Sequence, residues 1–139
     1  MRPKAQTVRL VRMARDESGS AVAEFVMVGA LLTILTLSVI QLGLALLIRN
    51  TVLDAATEGA RFASLADNGL NDGVGRTAEL ITVALGSGYA QDVSAEYGSY
   101  LGHPAAIITV RAPLPLIGLI GIERGLEVEG HAAVETLGR

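Results

Sequence analysis

The sequence predicts an α+β protein in which a long N-terminal transmembrane helix extends into a small extracytoplasmic domain. That domain holds a short second helix and a small antiparallel sheet. Three observations carry the prediction. Residues 25–48 are 24 consecutive positions without a charge, mainly Leu, Ile, Val and Ala. Residues 49–66 keep a helical spacing of apolar side chains, and strand-like runs are confined to the stretch beyond residue 91. Half of the 139 residues are apolar but only 4% are aromatic, so the apolar excess is an aliphatic block rather than an ordinary globular core.

At about 1.5 Å per residue, a helix over residues 25–48 reaches roughly 36 Å, enough for a hydrocarbon core of about 30 Å. A buried helix of that length would need a surrounding core that the remaining chain can hardly supply. A removable secretory signal is the competing reading. Its apolar region should be about 7–15 residues long and end in a small-residue cleavage site, whereas this run is longer and closes on "LALLIRN". Residues 1–15 carry five basic side chains and no acid, while residues 49–139 carry six Arg against eleven Asp and Glu. Basic flanks stay cytoplasmic, which places the N-terminus inside and the C-terminal part outside the cytoplasmic membrane. The basic arm is short, and topology accounts for it without nucleic-acid binding.

The division that follows is a basic leader over residues 1–19, a transmembrane helix over 20–48, a helical extension over 49–66 and an α+β domain over 67–139. In the extension, Val52, Ala55, Ala56, Gly59, Phe62, Ala63 and Ala66 recur at steps of three and four, opposite Asp54, Glu58 and Arg61. Glu58 and Arg61 are spaced to pair across one turn. Ala55, Gly59 and Ala63 repeat every fourth residue. Two readings of that strip stand: a smooth surface that admits another helix closely, or the plain helix propensity of alanine. Turn residues then fill "DNGLNDG", residues 67–73, and a second helix is expected over residues 74–85, ended by "GSG". A calcium loop does not fit residues 67–73, because Gly69 and Ala78 fall where oxygen ligands belong. Strands are expected over residues 92–97, 105–111 and 126–135, in a sheet of two to four strands packed on the helix. The apolar, proline-broken stretch 112–122 is expected to plug the small sheet's core, with a loop resting on the membrane or on a partner as the alternative.

Little points to an enzyme. His103 and His131 have no partners at metal-ligand or acid–base spacing, the serines lack a nucleophile-elbow context, and the glycines form no phosphate-binding motif. No cysteine is present, which excludes disulfides and thiolate chemistry. No cofactor, metal, nucleic acid or small-molecule substrate is expected.

"GSAVAEFVMVGALL" has a glycine, a glutamate five residues later, an aromatic and a long apolar run behind a basic leader. It resembles the processing site of type IV prepilins, and most closely that of the TadE-like pseudopilins, the minor pilins of the tight-adherence (Flp-type, type IVb-like) pilus. "RNTVLDAATEGARFAS" is similar to that family's helical signature. Ser20 and Ser18 depart from the aromatic and basic residues that many prepilins carry there. The resemblance implies cleavage by a prepilin peptidase after Gly19, a processing site made of Gly19, Ser20, Glu24 and Phe25, and helix packing through Ala55, Gly59 and Ala63. It implies a minor pilin or assembly factor with a structural role, whose partners are the membrane, the peptidase, other pilins and pilus assembly components, and which either enters the pilus or stays in the membrane. Glu24 is then either the partner of a neighbouring subunit's new N-terminal amine or a helix-start acid at headgroup level that suits the helix dipole. The rival to the pilin reading is an unprocessed single-pass membrane protein with a small extracytoplasmic binding or sensing domain.

Overall fold

A computed structural model describes residues 4–114 and 122–135 of the chain, with side chains described from residue 17 onward and not at 122–124. The elements run in the order α1 (Lys4–Ser64), α2 (Leu70–Leu85), a 3-10 turn (Ser87–Tyr89), β1 (Asp92–Tyr100), β2 (His103–Leu114) and β3 (Ile122–Ala133). The chain divides into two compact units, Met1–Ile40 and Gln41–Arg139, and α1 contributes to both. This is the α+β architecture expected from the sequence, with a three-stranded antiparallel sheet in the order β1-β2-β3.

The first helix starts at Lys4 rather than near residue 20. Residues 4–18 contain neither Gly nor Pro, so nothing in the backbone stops a helix from propagating through the basic stretch. Within the first unit the side chains of the apolar run stand clear of other protein, with Phe25 79% and Leu31 68% exposed. Among the described residues this is the one helix long and apolar enough to cross a membrane. Its hydroxyls are satisfied internally: Thr33, Thr36 and Ser38 each donate to the carbonyl four residues earlier, at 2.8 Å. A helix in hydrocarbon needs that arrangement, because no water is available to take the proton.

In the second unit the same helix acquires a buried face. Ile48, Val52, Ala55, Ala56, Ala60 and Ala63 are buried, at the three- and four-residue steps of one helical stripe. They meet the alternate residues of the sheet's inner face, Ala106, Ile108, Val110 and Ala112 on β2 with Leu126 and Val128 on β3. The second helix adds Gly73, Thr77 and Ile81, one per turn. Most of the stripe is alanine, so the large fully buried side chains Ile81, Ile108, Val52 and Val110 carry the apolar burial, at about 1.5–3 kcal/mol each.

That second helix begins four residues earlier than expected. Asn71, Asp72 and Gly73 lie inside it, because the Asp72 carboxylate accepts the Gly69 N–H at 2.8 Å and closes the first turn from within. Gly69 has no side chain to return the bond, so its carbonyl takes the Asp72 and Gly73 amides instead. Gly86 ends the helix at φ 101°, ψ 161°, a backbone region that only glycine occupies readily. A two-residue loop, Leu101 and Gly102 at φ 50° and 81°, joins β1 to β2. Both positive φ values match the primed turns whose twist suits a hairpin. All three strands are longer at one end or both than the residues expected, because the ladder extends to the turn and continues past a register shift between Ala112 and Leu114. The core-plugging loop expected between β2 and β3 lies, at residues 115–121, outside the described residues.

Three glycines fix how closely these layers approach. A Cβ on Gly59 would overlap the Thr77 hydroxyl and lie 2.7 Å from the Gly73 carbonyl. One on Gly73 would lie 2.6 Å from the Gly59 carbonyl, and one on Gly130 would overlap the α1 backbone at Ala56 and Thr57. Gly75, also in α2, faces open space. Gly59→Leu and Gly130→Val should therefore each destabilise the folded domain by about 1–3 kcal/mol or more through overpacking. Gly75→Ala should stabilise it by about 0.4–1 kcal/mol. Urea denaturation of the detergent-solubilised chain, followed by circular dichroism, measures both signs.

Candidate helix-packing and processing sites

The four residues of the expected processing site lie together on α1. Gly19, Ser20, Glu24 and Phe25 are all exposed, and a Cβ at Gly19 would meet nothing within 4 Å. The Gly19–Ser20 peptide bond is inside a continuous helix, so its carbonyl and amide are engaged in helical geometry rather than presented as an extended strand. Glycine is the weakest helix former apart from proline, so Gly19, like Gly29 and Gly43 farther along α1, lowers the cost of opening the helix locally by about 1 kcal/mol relative to alanine.

The strip Ala55, Gly59 and Ala63 is buried and occupied by α2 of the same chain. Its partners are Gly73 and Thr77: the Gly73 Cα faces Gly59 and Ala63, and Thr77 fills the gap between the helices. Thr77 is fully buried, and its hydroxyl donates to the Gly73 carbonyl at 2.8 Å, with the Ala55 carbonyl a longer 3.4 Å away. One hydroxyl proton serves one strong bond, so the 2.8 Å contact within α2 is the principal one. Close backbone approach and a satisfied threonine mark this helix contact, and the buried Ile108 side chain lies against both Gly59 and Gly73.

The exposed face of the sheet carries charge in register. Arg111 on β2 lies opposite Asp92 on β1 and Glu127 on β3, and its guanidinium reaches Glu127 at 2.9 Å and Asp92 at 3.9 Å. The hydrogen bond to Glu127 and then that residue's charge hold the Arg111 pKa above its ordinary value. Partial desolvation opposes this, and the charges of Asp92 and Glu129 add to it. A raised pKa on a group already basic leaves Arg111 charged over all working pH, so its own titration adds no pH dependence to stability there. Farther along the same face, Tyr100 and His131 stack with ring centroids 4.4 Å apart and planes within 7°. His131 Nε2 also approaches Glu129 at 3.7 Å. The hairpin brings Tyr100 across to His131, and His103 starts β2. The expected Glu58–Arg61 pair is absent among the described residues, while Arg76 and Glu79 form the analogous exposed pair at 3.1 Å. Such pairs contribute little in water, and which of them closes is of small consequence. No group of three or more His, Asp or Glu poised for a metal occurs among the described residues.

Thr77→Val keeps the shape of the side chain and deletes one buried hydrogen bond. The Gly73 carbonyl retains its helical partner, so the loss should be about 0.5–1.5 kcal/mol. Chemical denaturation of the full chain in detergent tests this, and a change above about 3 kcal/mol would mean that the hydroxyl does more than join α2 to itself.

Residues 19–61 match the family model described as TadE-like protein. No curated protein and no solved structure matches the chain. The matched segment starts at the expected scissile glycine and runs through Glu24, the apolar run, Ala55 and Gly59 to Arg61. It covers nearly all of α1 from residue 19 onward and none of α2 or the sheet. Over residues 19–61 the chain is therefore similar to the TadE-like family.

Proposed function

We propose that this protein is a minor pilin, or pseudopilin, or an assembly factor of a tight-adherence pilus, with a structural rather than catalytic role. The observation that carries the reading is that residues 19–47, the larger part of the TadE-like match, present an apolar helix with almost no protein contact of its own. An exposed aliphatic helix of that length is stable only in lipid or against other helices. In this account residues 20–48 anchor the chain in the cytoplasmic membrane, the basic N-terminal stretch stays inside and residues 49–139 lie outside. A prepilin peptidase cuts after Gly19, and the helix then packs with other pilins and assembly components, with Glu24 meeting a neighbour's N-terminal amine.

One observation favours the rival reading of an unprocessed single-pass protein with a binding or sensing domain: Gly19 lies within unbroken helix. The N-terminal sequence of the membrane-extracted protein separates the two. Processing predicts a chain beginning at Ser20 and accumulation of precursor in Gly19→Arg. Intact chain beginning at Met1, in cells with an active prepilin peptidase, supports the rival. A reporter fused after Arg139 should be active outside the cytoplasmic membrane, and cytoplasmic activity would reverse the topology. Glu24→Gln and Glu24→Ala should insert and be processed but fail to co-purify with pilus components. Normal piliation in both variants would reduce Glu24 to a helix-start acid.

A further inference from the structure

A groove of about 400 Å³ opens between α1 and the free edge of β3, lined by Arg49, Leu53, Glu127, Val128 and Glu129. Its charges are unevenly used. Glu127 is taken up by Arg111 at 2.9 Å, and the one ion pair of Glu129 among the described residues is with the imidazole of His131, at 3.7 Å, with the charge of Arg111 farther off. Arg49 forms no ion pair among the described residues, although two carboxylates line the same groove. The groove therefore holds one uncommitted cation and one nearly uncommitted anion, set apart from each other.

Its position narrows what such a pair can hold. Arg49 is the first charged residue after the uncharged run 25–48, so it stands where hydrocarbon gives way to headgroups. Leu53, one turn on, continues the apolar side of the helix into the groove. We propose that this groove binds the headgroup of a zwitterionic phospholipid that bears a primary ammonium, of the phosphatidylethanolamine class. Arg49 takes the phosphate through its planar fork of donors, and Glu129 takes the ammonium. An anionic headgroup satisfies Arg49 but sets its net charge against Glu127 and Glu129. A choline headgroup has no N–H to donate to a carboxylate. The shape is an open cleft, which suits a headgroup whose tails stay in the bilayer.

The inference rests on the membrane anchoring in the proposed function. Its test uses the full-length protein reconstituted in equimolar phosphatidylcholine and phosphatidylethanolamine, extracted in mild detergent, with retained lipid counted by native mass spectrometry. Phosphatidylethanolamine should be enriched about tenfold over phosphatidylcholine, the effect of one good charge-assisted contact. Arg49→Gln and Glu129→Gln should each abolish the enrichment, and Glu58→Gln, on another face of α1, should preserve it. Inorganic phosphate in large excess should not displace the lipid, and displacement would show that the groove takes a free anion instead. Preference for phosphatidylglycerol in a parallel mixture, unaffected by Glu129→Gln, would overturn the proposal in favour of a simple Arg49–anion contact. Protein that inserts but retains both zwitterionic lipids equally overturns the groove site and leaves the membrane reading standing. Protein that inserts into neither composition overturns both.

Discussion

The Gln41–Arg139 unit depends on how closely two stretches of backbone, one in α2 and one in β3, can approach the small-residue face of α1. Gly59 meets Gly73 and Thr77, and Gly130 lies against the backbone at Ala56 and Thr57. Few large side chains fill this core, so dispersion between near-touching backbones has to supply cohesion that aromatic residues supply in other small domains. Close packing of this kind tolerates little change, because a single added carbon has nowhere to go. The alanines at 55, 56, 60 and 63 follow from the same constraint: each keeps the helix surface low enough for α2 or β3 to lie on it.

This arrangement divides the labour along one helix. From residue 17 to residue 47 nearly all side chains of α1 are exposed, free for lipid or for other helices; from Ile48 onward one face is committed to the chain's own core. The TadE-like match spans both parts and ends at Arg61, just short of the end of α1. The segment shared with the family is thus an anchor joined to a docking ledge, and α2 and the sheet are what this chain builds on the ledge. Small residues that read in sequence as a place for another molecule's helix are filled from within. In the proposed pilin role, the surfaces left for neighbouring subunits are the apolar run and the exposed faces of α2 and the sheet.

Most of the architecture was legible because each element carried its own period. The uncharged run set the span, the three- and four-residue steps from Val52 to Ala63 set the buried face, and the alternation from Leu126 to Val128 set β3. The errors have local causes. Turn residues in "NDG" hid the start of α2, since Asp72 acts as an internal cap and Gly73 is required by its contact with Gly59 rather than by a turn. The start of α1 lies at Lys4 rather than near residue 20 because the basic stretch consists of good helix formers. The Tyr100–His131 stack and the Asp92–Arg111–Glu127 row depend on strand register, which single-residue patterns do not fix. The groove beside Arg49 likewise exists only once β3 lies along α1.

The central claim is that α1 keeps one face buried by its own chain immediately after it leaves the apolar run. Because the sequence contains no cysteine, single cysteines can report on that face without background. The measurement is maleimide labelling of Cys variants at positions 52, 54, 56, 57, 58, 60 and 61 in native membranes opened to the reagent. Positions 54, 57, 58 and 61 should label quickly, while 52, 56 and 60 should stay protected until the domain is denatured. Uniform labelling around the helix would contradict the account, because residues 49–64 would then be a bare stalk rather than the floor of a folded domain.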